Sequence, residues 1–330
     1  MIEQYSEAQI LSMLNQCLEE GCFQDINQIL NLCFNQENNL SEEFVNSVKI
    51  LQNAIKYRAE VIALQQAQLT KTEYERVSGL YDPPTFFHQS RPRRDMNITS
   101  DDIWWCWFQG LEQAPKIVKA CYDTVLRLGR RVHVITADNY SDYITMPEHV
   151  IEKWKQGVIS YANFSDMLRL ELLTTYGGTW IDSTIYLTSS NMMELIKKQD
   201  LFLYQHIFCG IDSDFVNSAS WLMHSNGNSN ILSDAKNMMY QYWINEQQLN
   251  HYLLVCICLT LACNRHPQEW AKVPVYSDVP PHVLQSEITH VYSEDRWNQI
   301  CKMTDIHKLT YKIQRPETDD YLFYDYILRH

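Results

Sequence analysis

The sequence predicts an α/β protein with an all-helical N-terminal region. Three observations predict this class. The first 80 residues show only helical periodicity, apolar strands alternate with amphipathic helices from about residue 102 onward, and a proline-rich stretch at 82–97 separates the two patterns. We therefore expect a helical region over residues 1–90 and a Rossmann-type α/β domain over residues 91–330.

The N-terminal region has the pattern of an acidic helical bundle. Ser6 and Gln9 form a capping-box pair, and Ser41 precedes two acidic residues, as is common at a helix N-terminus. A further helix is expected over about 23–35. A solvated bundle of this kind favours partner contact or self-association into a homo-oligomer over a catalytic role.

Composition and charge narrow the function classes. The chain has 330 residues, 45% of them hydrophobic, and a formal net charge of −13. These values predict a folded core and argue against a nucleic-acid partner. We find no secretory signal pattern, and the longest apolar run, 252–263, is too short to span a bilayer and is expected to form a buried helix. The ten cysteines form no CxxC pair, so reduced thiols in the cytoplasm are the simplest interpretation, with a zinc site in that run as the alternative.

The α/β pattern begins with an aromatic strand at 102–110, a helix at 114–129 and a second strand at 131–139. Ligands of parallel sheets bind beyond the carboxyl ends of the strands. Trp107–Gly110 and Asp138 follow two such ends, and Asp138 is a candidate for holding a nucleoside. The sequence has no GxGxxG, P-loop or GxSxG motif, which weakens the dinucleotide-dependent oxidoreductase, P-loop and hydrolase classes.

A charged corner comes next in the sequence. The spacing predicts a helix over 161–176 that stops at Gly177–Gly178, followed by one strand that contains Asp182. Asp166 and Arg169 are neighbours on that helix, and the double glycine would bring the strand back alongside them. Two carboxylates and a guanidinium can hold sugar hydroxyls, a ribose or a metal-bound diphosphate. A plain ion pair on the helix surface is the alternative.

The stretch SDMLRLELLTTYGGTWIDST, residues 165–184, resembles the signature SDxLRxxLLxxYGGxWxDxT of the capsular polysaccharide synthesis proteins. These proteins are related to bacterial and fungal glycosyltransferases with a DxD motif, including fungal mannosyltransferases, and to the clostridial glucosylating toxins. The resemblance covers about residues 100–312 and leaves out the N-terminal 90 residues. It implies the GT-A fold, a Rossmann-like nucleotide-sugar transferase domain.

The resemblance also implies roles for particular residues. Asp166 and Arg169 match the pair that grips the sugar of the donor. Asp182 matches the first aspartate of the DxD motif, which contacts the ribose and a divalent metal ion. Trp107 would stack on the nucleobase, with uracil expected, and Gln109 belongs to the same WFQG segment.

The sequence departs from the DxD motif at Thr184, which replaces the second aspartate, the direct metal ligand of related enzymes. One carboxylate, a hydroxyl and a diphosphate would hold Mg²⁺ or Mn²⁺ weakly. Two alternatives stay open: a weakly held metal ion on Asp182, or a protein cation on the leaving diphosphate. The candidates for that cation are Lys308, His307 and His282.

Two further stretches are expected on the acceptor side. One contains Trp221 together with Ser218 and Ser220. The other contains Asp212 and Asp214, which have DxD spacing and are interpreted as a solvated loop, with acceptor contact or metal support as the alternative.

These observations and the resemblance predict a bacterial, cytoplasmic glycosyltransferase. It would move a hexose from a nucleotide sugar, with a UDP-sugar expected, to a lipid-linked capsular or surface-polysaccharide intermediate, with retention as the resemblance implies. Peripheral contact with the inner membrane face could come from the N-terminal helices or from the basic cluster Arg91–Arg94. The alternatives are a protein-modifying, effector-like glycosyltransferase and a non-catalytic sugar-nucleotide-binding subunit.

Overall fold

The structure divides into two compact units, Met1–Gln68 and Leu69–His330, which are described separately. The domain boundary predicted at residue 90 is not tested by this division and stays a prediction. The computed structural model describes residues 6–20, 41–81, 85–90, 97–205 and 214–330.

The first unit contains helix α1 (Glu7–Glu20) and the N-terminal part of helix α2 (Glu42–Leu80). The predicted capping box is confirmed, because the Gln9 amide lies 3.3 Å from Ser6 Oγ and the Ser6 amide lies 2.8 Å from Gln9 Oε1. Ser41 caps α2 by accepting from the Phe44 amide at 3.1 Å. The helix expected over about 23–35 and the basic cluster Arg91–Arg94 lie outside the described residues.

The second unit is built around a five-stranded sheet with the strand order β2–β1–β3–β6–β5. Strand β1 pairs in parallel with β2 and β3, and β6 runs antiparallel to β3 and β5. This mostly parallel sheet confirms the predicted α/β class. Its strands are Ile103–Cys106 (β1), Val132–Ile135 (β2), Gly178–Ile181 (β3), Leu201–Gln205 (β5) and Ser218–Ser225 (β6).

Helices bury both faces of this sheet. Along β1, Trp104 packs into one hydrophobic cluster, whereas Ile103 and Trp105 pack into another on the opposite face. The run predicted as a buried helix forms α9, and its residues 254–263 are buried. The helices of this unit after α2 are α3 (Lys116–Leu126), α4 (Tyr140–Tyr143), α5 (Glu148–Lys155), α6 (Tyr161–Thr175), α7 (Asn191–Ile196), α8 (Asn230–Asn245), α9 (Leu254–Arg265), α10 (Pro267–Trp270), α11 (Val279–Glu287), α12 (Glu294–Met303) and α13 (Phe323–Ile327), with a 3₁₀ turn at Leu111–Gln113.

A second, two-stranded sheet corrects the expectation of one continuous strand through Asp182. Strand β3 ends at Ile181, and β4 (Ile185–Leu187) pairs instead with β7 (Ile306–Lys308) in antiparallel register. The chain turns between them, since the Ile185 amide donates to the Asp182 carbonyl at 3.0 Å. The two strands belong to different sheets, so the polar residues between them lie in a turn and not in the interior of a strand.

The double glycine makes the connection from α6 to β3 possible. Gly177 and Gly178 have φ values of 74° and 99°, which side chains other than glycine rarely adopt. A Cβ at Gly178 would also lie 2.8 Å from the Asp102 carbonyl oxygen, and one at Gly177 would lie 2.8 Å from the Ser225 carbonyl oxygen. This tight turn sends β3 back along α6, so that the end of the strand reaches the middle of the helix. Among the described residues, we find no helix that is both long and apolar enough to cross a membrane.

Candidate active site

The candidate site lies at the carboxyl edge of the parallel strands. The Trp107 amide donates to the Ile135 carbonyl at 3.1 Å, and the Ala137 amide donates to the Phe108 carbonyl at 3.0 Å. The segments that follow β1 and β2 are therefore side by side, and β3 ends beside β1. This arrangement places Trp107, Asp138 and Asp182 at one edge of the sheet, where ligands of such folds bind.

Arg169 joins the two predicted carboxylates. Its Nη2 atom lies 3.1 Å from Asp166 Oδ1 and 3.4 Å from Asp182 Oδ1. The side chain of Arg169 is 6% exposed and that of Asp166 is 13% exposed. The pair is therefore not a plain surface ion pair, and the three groups converge as the charged corner predicts.

Four further contacts fix the Arg169 guanidinium. Nη1 donates to the carbonyl oxygen of Ser220 at 2.6 Å and to its Oγ at 3.1 Å. On the helix side, Nε and Nη2 donate to the carbonyl oxygen and Oγ of Ser165 at 3.3 and 3.2 Å. The guanidinium also lies 4.9 Å from the centre of the Trp180 ring. Ser220, expected on the acceptor side, thus holds the arginine in one orientation.

Asp182 is an ionised carboxylate between two cations. Its Oδ1 accepts from Trp180 Nε1 at 2.9 Å, and its Oδ2 accepts from Lys308 Nζ at 3.2 Å. Burial raises the pKa of Asp182, but the positive charges of Arg169 and Lys308 outweigh burial and hold this pKa below its usual value. The side chain remains 23% exposed, so a ligand can reach it.

The pKa of Asp166, unlike that of Asp182, is raised above its usual value. Burial is the largest influence and raises its pKa to about 6, with Asp182 adding to the rise and Arg169 opposing it. Asn163 Nδ2 donates to Asp166 Oδ2 at 3.4 Å, and Trp243 Nε1 fixes Asn163 by donating to its Oδ1 at 2.8 Å. Two carboxylates on one arginine thus have different affinities for protons.

Lys308 completes what we call the arginine cluster: Asp166, Arg169, Asp182 and Lys308. Its Nζ donates to Thr184 Oγ1 at 2.6 Å as well as to Asp182. The lysine therefore bridges both positions of the DxT sequence. Of the three cation candidates, Lys308 directly contacts Asp182.

The two histidine candidates are placed differently. His307 is fully buried, and burial lowers its pKa to about 4, so the ring is neutral at pH 7. Its Nε2 lies 3.3 Å from Thr188 Oγ1. His282 Nδ1 donates to the Asp278 carbonyl at 2.7 Å, and its ring stands at 87° to that of Trp221, with ring centres 5.9 Å apart. His307 cannot supply a positive charge at neutral pH.

Trp221 belongs to the core beside the site. It is 7% exposed, stacks on Tyr204 at 4.6 Å between ring centres, and has its Nε1 3.5 Å from Asp278 Oδ2. Its carbonyl oxygen accepts from the Asp182 amide at 2.9 Å. Trp221 therefore supports the backbone of Asp182, and its contact with a substrate stays a prediction.

Trp107 forms an aromatic edge to the cleft together with Tyr311. Their ring centres lie 5.3 Å apart at 89°. Trp107 is half-buried, and its Nε1 is buried without a hydrogen-bond partner among the described residues. Gln109 and Asp138 are exposed at the same edge. Tyr311 was missed as a site residue, although it lies only three residues after the candidate Lys308 in the sequence.

Tyr252 is a second residue that the sequence reasoning missed. It is 78% exposed. Desolvation is the largest cause of its raised pKa, and the negative charges of Asp166 and Asp182 raise this pKa further. A tyrosine at the start of an apolar run carries no signal of function in the sequence. Asp212 lies outside the described residues, so the solvated loop predicted for Asp212 and Asp214 is not tested.

The residues around Asp182 do not form a good site for a divalent metal ion. Both carboxylate oxygens already accept hydrogen bonds, and two side-chain cations lie within 3.4 Å of them. Mg²⁺ and Mn²⁺ favour several oxygen ligands, usually including more than one carboxylate. Across the described ranges, no group of three His, Cys, Asp or Glu side chains could hold a metal ion.

Two cavities lie elsewhere in the described part of the chain. A cavity of 660 Å³ lies between β4 and α12, where Tyr186 and Trp297 line it. A cavity of 750 Å³ has Asn228 and Arg265 in its lining. Neither lining includes a member of the arginine cluster.

Comparisons with known proteins give one family. The family model for capsular polysaccharide synthesis proteins matches residues 53–327, well over half of the chain. No curated protein matches the sequence. The crystal structure of a glycosyltransferase involved in the glycosylation of the major capsid of PBCV-1 aligns over 63% of this chain and 92% of its own, at 10% identity and a TM-score of 0.32, a likeness too weak to assign function. On the family match, this chain belongs to the capsular polysaccharide synthesis protein family, the glycosyltransferase family that its central motif resembles.

Proposed function

We propose that this protein transfers a hexose from a nucleotide sugar, specifically a UDP-sugar, to a capsular or surface-polysaccharide intermediate. The observation that carries this proposal is the position of Arg169. Its guanidinium is held between Asp166 and Asp182, at the sheet edge where Trp107 lies. This arrangement combines sugar-binding carboxylates, a fixed cation and an aromatic ring within one cleft.

The arginine cluster would bind the sugar and the diphosphate of the donor. Carboxylate oxygens of Asp166 and Asp182 can accept hydrogen bonds from sugar hydroxyls, and the Lys308 ammonium can donate to hydroxyl or phosphate oxygens. Because Arg169 is held by Ser165 and Ser220, the protein has already fixed its orientation before a ligand binds. A rigid set of donors and acceptors suits discrimination among hexoses.

The aromatic edge would bind the nucleobase. A half-buried indole offers a flat apolar face on which a base can stack. Tyr311 stands edge-on to this ring. A uracil that packs against Trp107 would direct its ribose and diphosphate along the strand ends toward Asp182.

The reaction would proceed by departure of the nucleoside diphosphate. The bond between the anomeric carbon and the phosphate oxygen breaks, and its electron pair stays on the phosphate, where nearby cations stabilise the charge. The acceptor hydroxyl oxygen forms the new bond to the anomeric carbon, and its proton passes to the departing phosphate. Attack on the face that the phosphate leaves would retain the configuration, as the family resemblance implies.

The acceptor and the location also belong to this proposal. A lipid-linked polysaccharide intermediate would require contact with the inner face of a membrane, and a cytoplasmic protein could make this contact peripherally. The family match supports an acceptor from capsule synthesis. Two alternative functions remain: transfer of the hexose to a protein, and binding of a nucleotide sugar without turnover.

A donor screen tests the proposal. Purified protein is incubated with UDP-, GDP-, dTDP- and CDP-sugars, and release of the free nucleoside diphosphate is measured with and without glycan acceptors. We expect slow hydrolysis of one UDP-sugar and a loss of about 100- to 1,000-fold in Asp182→Asn. Asp234→Asn is the matched control, because Asp234 is also 23% exposed and ion-paired, with His266.

The control variant should keep its activity within about twofold, since a surface substitution remote from the cleft changes little. Absence of binding and turnover with every donor would reject the proposal. Donor binding without turnover, even with glycan acceptors present, would instead identify a non-catalytic binding subunit.

A further inference from the structure

A lysine contacts both polar positions of the DxT turn. Thr184 stands where the DxD motif has its second carboxylate, and Lys308 Nζ lies 2.6 Å from Thr184 Oγ1 and 3.2 Å from Asp182 Oδ2. An ammonium group has three N–H donors. These two contacts use two of them and leave one for a ligand, and the side chain is 19% exposed to the cleft.

The backbone fixes this position of Lys308. In the small sheet, Lys308 is the register partner of Ile185, the first residue after the DxT turn. The Leu309 amide also donates to the Thr184 carbonyl at 2.9 Å. The backbone at Lys308 is therefore fixed beside Thr184, whose hydroxyl the Lys308 ammonium contacts. A short strand pair thus holds the cation in place, so that little side-chain freedom is lost when a ligand binds.

The charges around Asp182 favour this lysine over a divalent ion. Lys308 and Arg169 contact opposite oxygens of the one carboxylate. A metal ion on Asp182 would have to displace one cation and would be repelled by the other. Thr184 adds a hydroxyl and no negative charge, which suits an ammonium donor better than a hard cation.

We propose that Lys308 serves as the cation for the donor diphosphate, and that transfer requires no divalent metal ion. This inference rests on the proposed function. When the bond from the anomeric carbon to the phosphate oxygen breaks, the electron pair remains on the diphosphate, and the Lys308 ammonium donates a hydrogen bond to it without losing its proton. Asp182 is then a positioning residue for Lys308 as well as a sugar contact.

The first test measures metal dependence directly. Binding of UDP is followed by titration calorimetry, and donor turnover by diphosphate release, each in EDTA and in 1–5 mM Mn²⁺ or Mg²⁺ (concentrations on the order of common assay conditions). We expect UDP affinity and turnover in EDTA to stay within about twofold of the values with metal ion. Binding or turnover that requires Mn²⁺ or Mg²⁺ would overturn the inference while leaving the proposed function intact. Absence of UDP binding in every condition would reject both.

The second test changes the cation. Lys308→Met should lower turnover by roughly 100-fold, with no recovery on addition of Mn²⁺. Lys308→Arg keeps a positive charge and should recover part of that loss. The matched control is Lys302→Met, since Lys302 is an exposed lysine of α12 outside the arginine cluster. Turnover of Lys308→Met at the wild-type level would overturn the inference.

A third test does not depend on activity. The double variant Thr184→Asp/Lys308→Ala restores two carboxylates and removes the competing cation. We expect Mn²⁺ binding, measured by electron paramagnetic resonance, to be at least about tenfold tighter in this variant than in the wild type. A thermal melt of the double variant, compared with that of the wild type, shows first that the variant is folded. Tight binding of Mn²⁺ by the wild-type protein alone would contradict the proposal.

Discussion

Helix α6 carries two charged clusters that differ in kind. The first is the arginine cluster described above. The second, which we call the glutamate cluster, is centred on Glu171, and it comprises Glu171, Lys236, Tyr240 and Ser90. Both place acidic and basic side chains against the same helix, so their differences show which features separate a structural cluster from a candidate site.

The glutamate cluster is closed. Glu171 is fully buried, and its two oxygens accept from Ser90 N at 3.1 Å, Lys236 Nζ at 3.4 Å and Tyr240 Oη at 2.5 Å. These contacts connect α6, α8 and the segment 85–90. A buried charge with its partners in place stabilises one packing arrangement and leaves no donor or acceptor facing solvent.

The arginine cluster is open. The Asp182 and Lys308 side chains remain 23% and 19% exposed, and Asp166 has a pKa raised to about 6. An ionised carboxylate with a raised pKa costs stability at neutral pH, and such groups are common at functional sites. The comparison indicates that partial exposure and perturbed ionisation, more than the mere presence of charge, distinguish the candidate site.

The largest expected effect concerns stability and the glutamate cluster. Glu171→Ala leaves Lys236 buried without its carboxylate and should lower the free energy of unfolding by about 3–5 kcal/mol. Turnover per folded molecule should be unchanged. Urea denaturation measures the loss, with Glu152→Ala, at an exposed residue of α5, as a control expected within about 0.5 kcal/mol of wild type. If Glu171→Ala loses activity but not stability, the comparison fails.

The next effect concerns activity and the arginine cluster. Arg169→Lys keeps one positive charge but cannot reproduce the contacts to Asp166, Asp182 and Ser220 together. We expect kcat/KM for the donor to fall roughly 100-fold, equivalent to about 2.7 kcal/mol. The measurement is steady-state diphosphate release. An activity close to that of the wild type would show that the combined guanidinium contacts to Asp166, Asp182 and Ser220 are not required.

A third prediction uses the raised pKa of Asp166. The folded protein holds its proton up to about pH 6, whereas an unfolded carboxyl releases it near its ordinary value of 3.8. As the pH rises from about 4 to about 6, the free energy of unfolding therefore falls, because Asp166 must ionise inside the folded protein. Asp166→Asn cannot ionise, so it should be more stable than wild type at pH 7 by about 3 kcal/mol, and by much less at pH 4.5. Urea denaturation at the two pH values measures both differences.

The same Asp166→Asn variant should lose donor binding at pH 7, because a sugar-binding carboxylate becomes an amide. Stabilisation together with loss of binding would sharpen the contrast with Glu171, which is expected to matter for folding alone. A variant that is less stable than wild type by the same amount at both pH values would show that Asp166 is structural.

The smallest effect concerns the support of Arg169. Ser220→Ala removes the hydroxyl acceptor at 3.1 Å but keeps the carbonyl acceptor at 2.6 Å. We expect kcat/KM to fall about fivefold, equivalent to about 1 kcal/mol. Ser218→Ala is the matched control, because Ser218 lies on the same strand and its buried Oγ has no partner among the described residues. If Ser220→Ala and Ser218→Ala lower kcat/KM equally, Ser220 has no specific role in holding Arg169.

Local patterns in the sequence predict much of this architecture. The first strand–helix–strand segment after residue 102, the helix that begins at Tyr161 and the buried helix α9 follow from periodicity and glycine positions. The convergence of Asp166, Arg169 and Asp182 also follows, because the double glycine connects neighbouring elements. These features depend on interactions within about twenty residues.

Other features of the site depend on long-range pairing. Lys308 is 126 residues from Asp182, and three-residue strands such as β4 and β7 leave no periodic signal from which to predict their pairing. The break of the expected strand at Asp182 has the same cause, since the choice between two sheets is made by distant partners. Tyr311 comes beside Trp107 through tertiary packing.

The most direct test of the account is a crystal structure of the protein with UDP. We expect the uracil to pack against Trp107 and a phosphate oxygen to lie within about 3.2 Å of Lys308 Nζ, a hydrogen-bond distance. This result would establish the arginine cluster as the donor site. A UDP molecule bound in either of the two cavities outside the cleft, with Asp182 and Lys308 uncontacted, would contradict it.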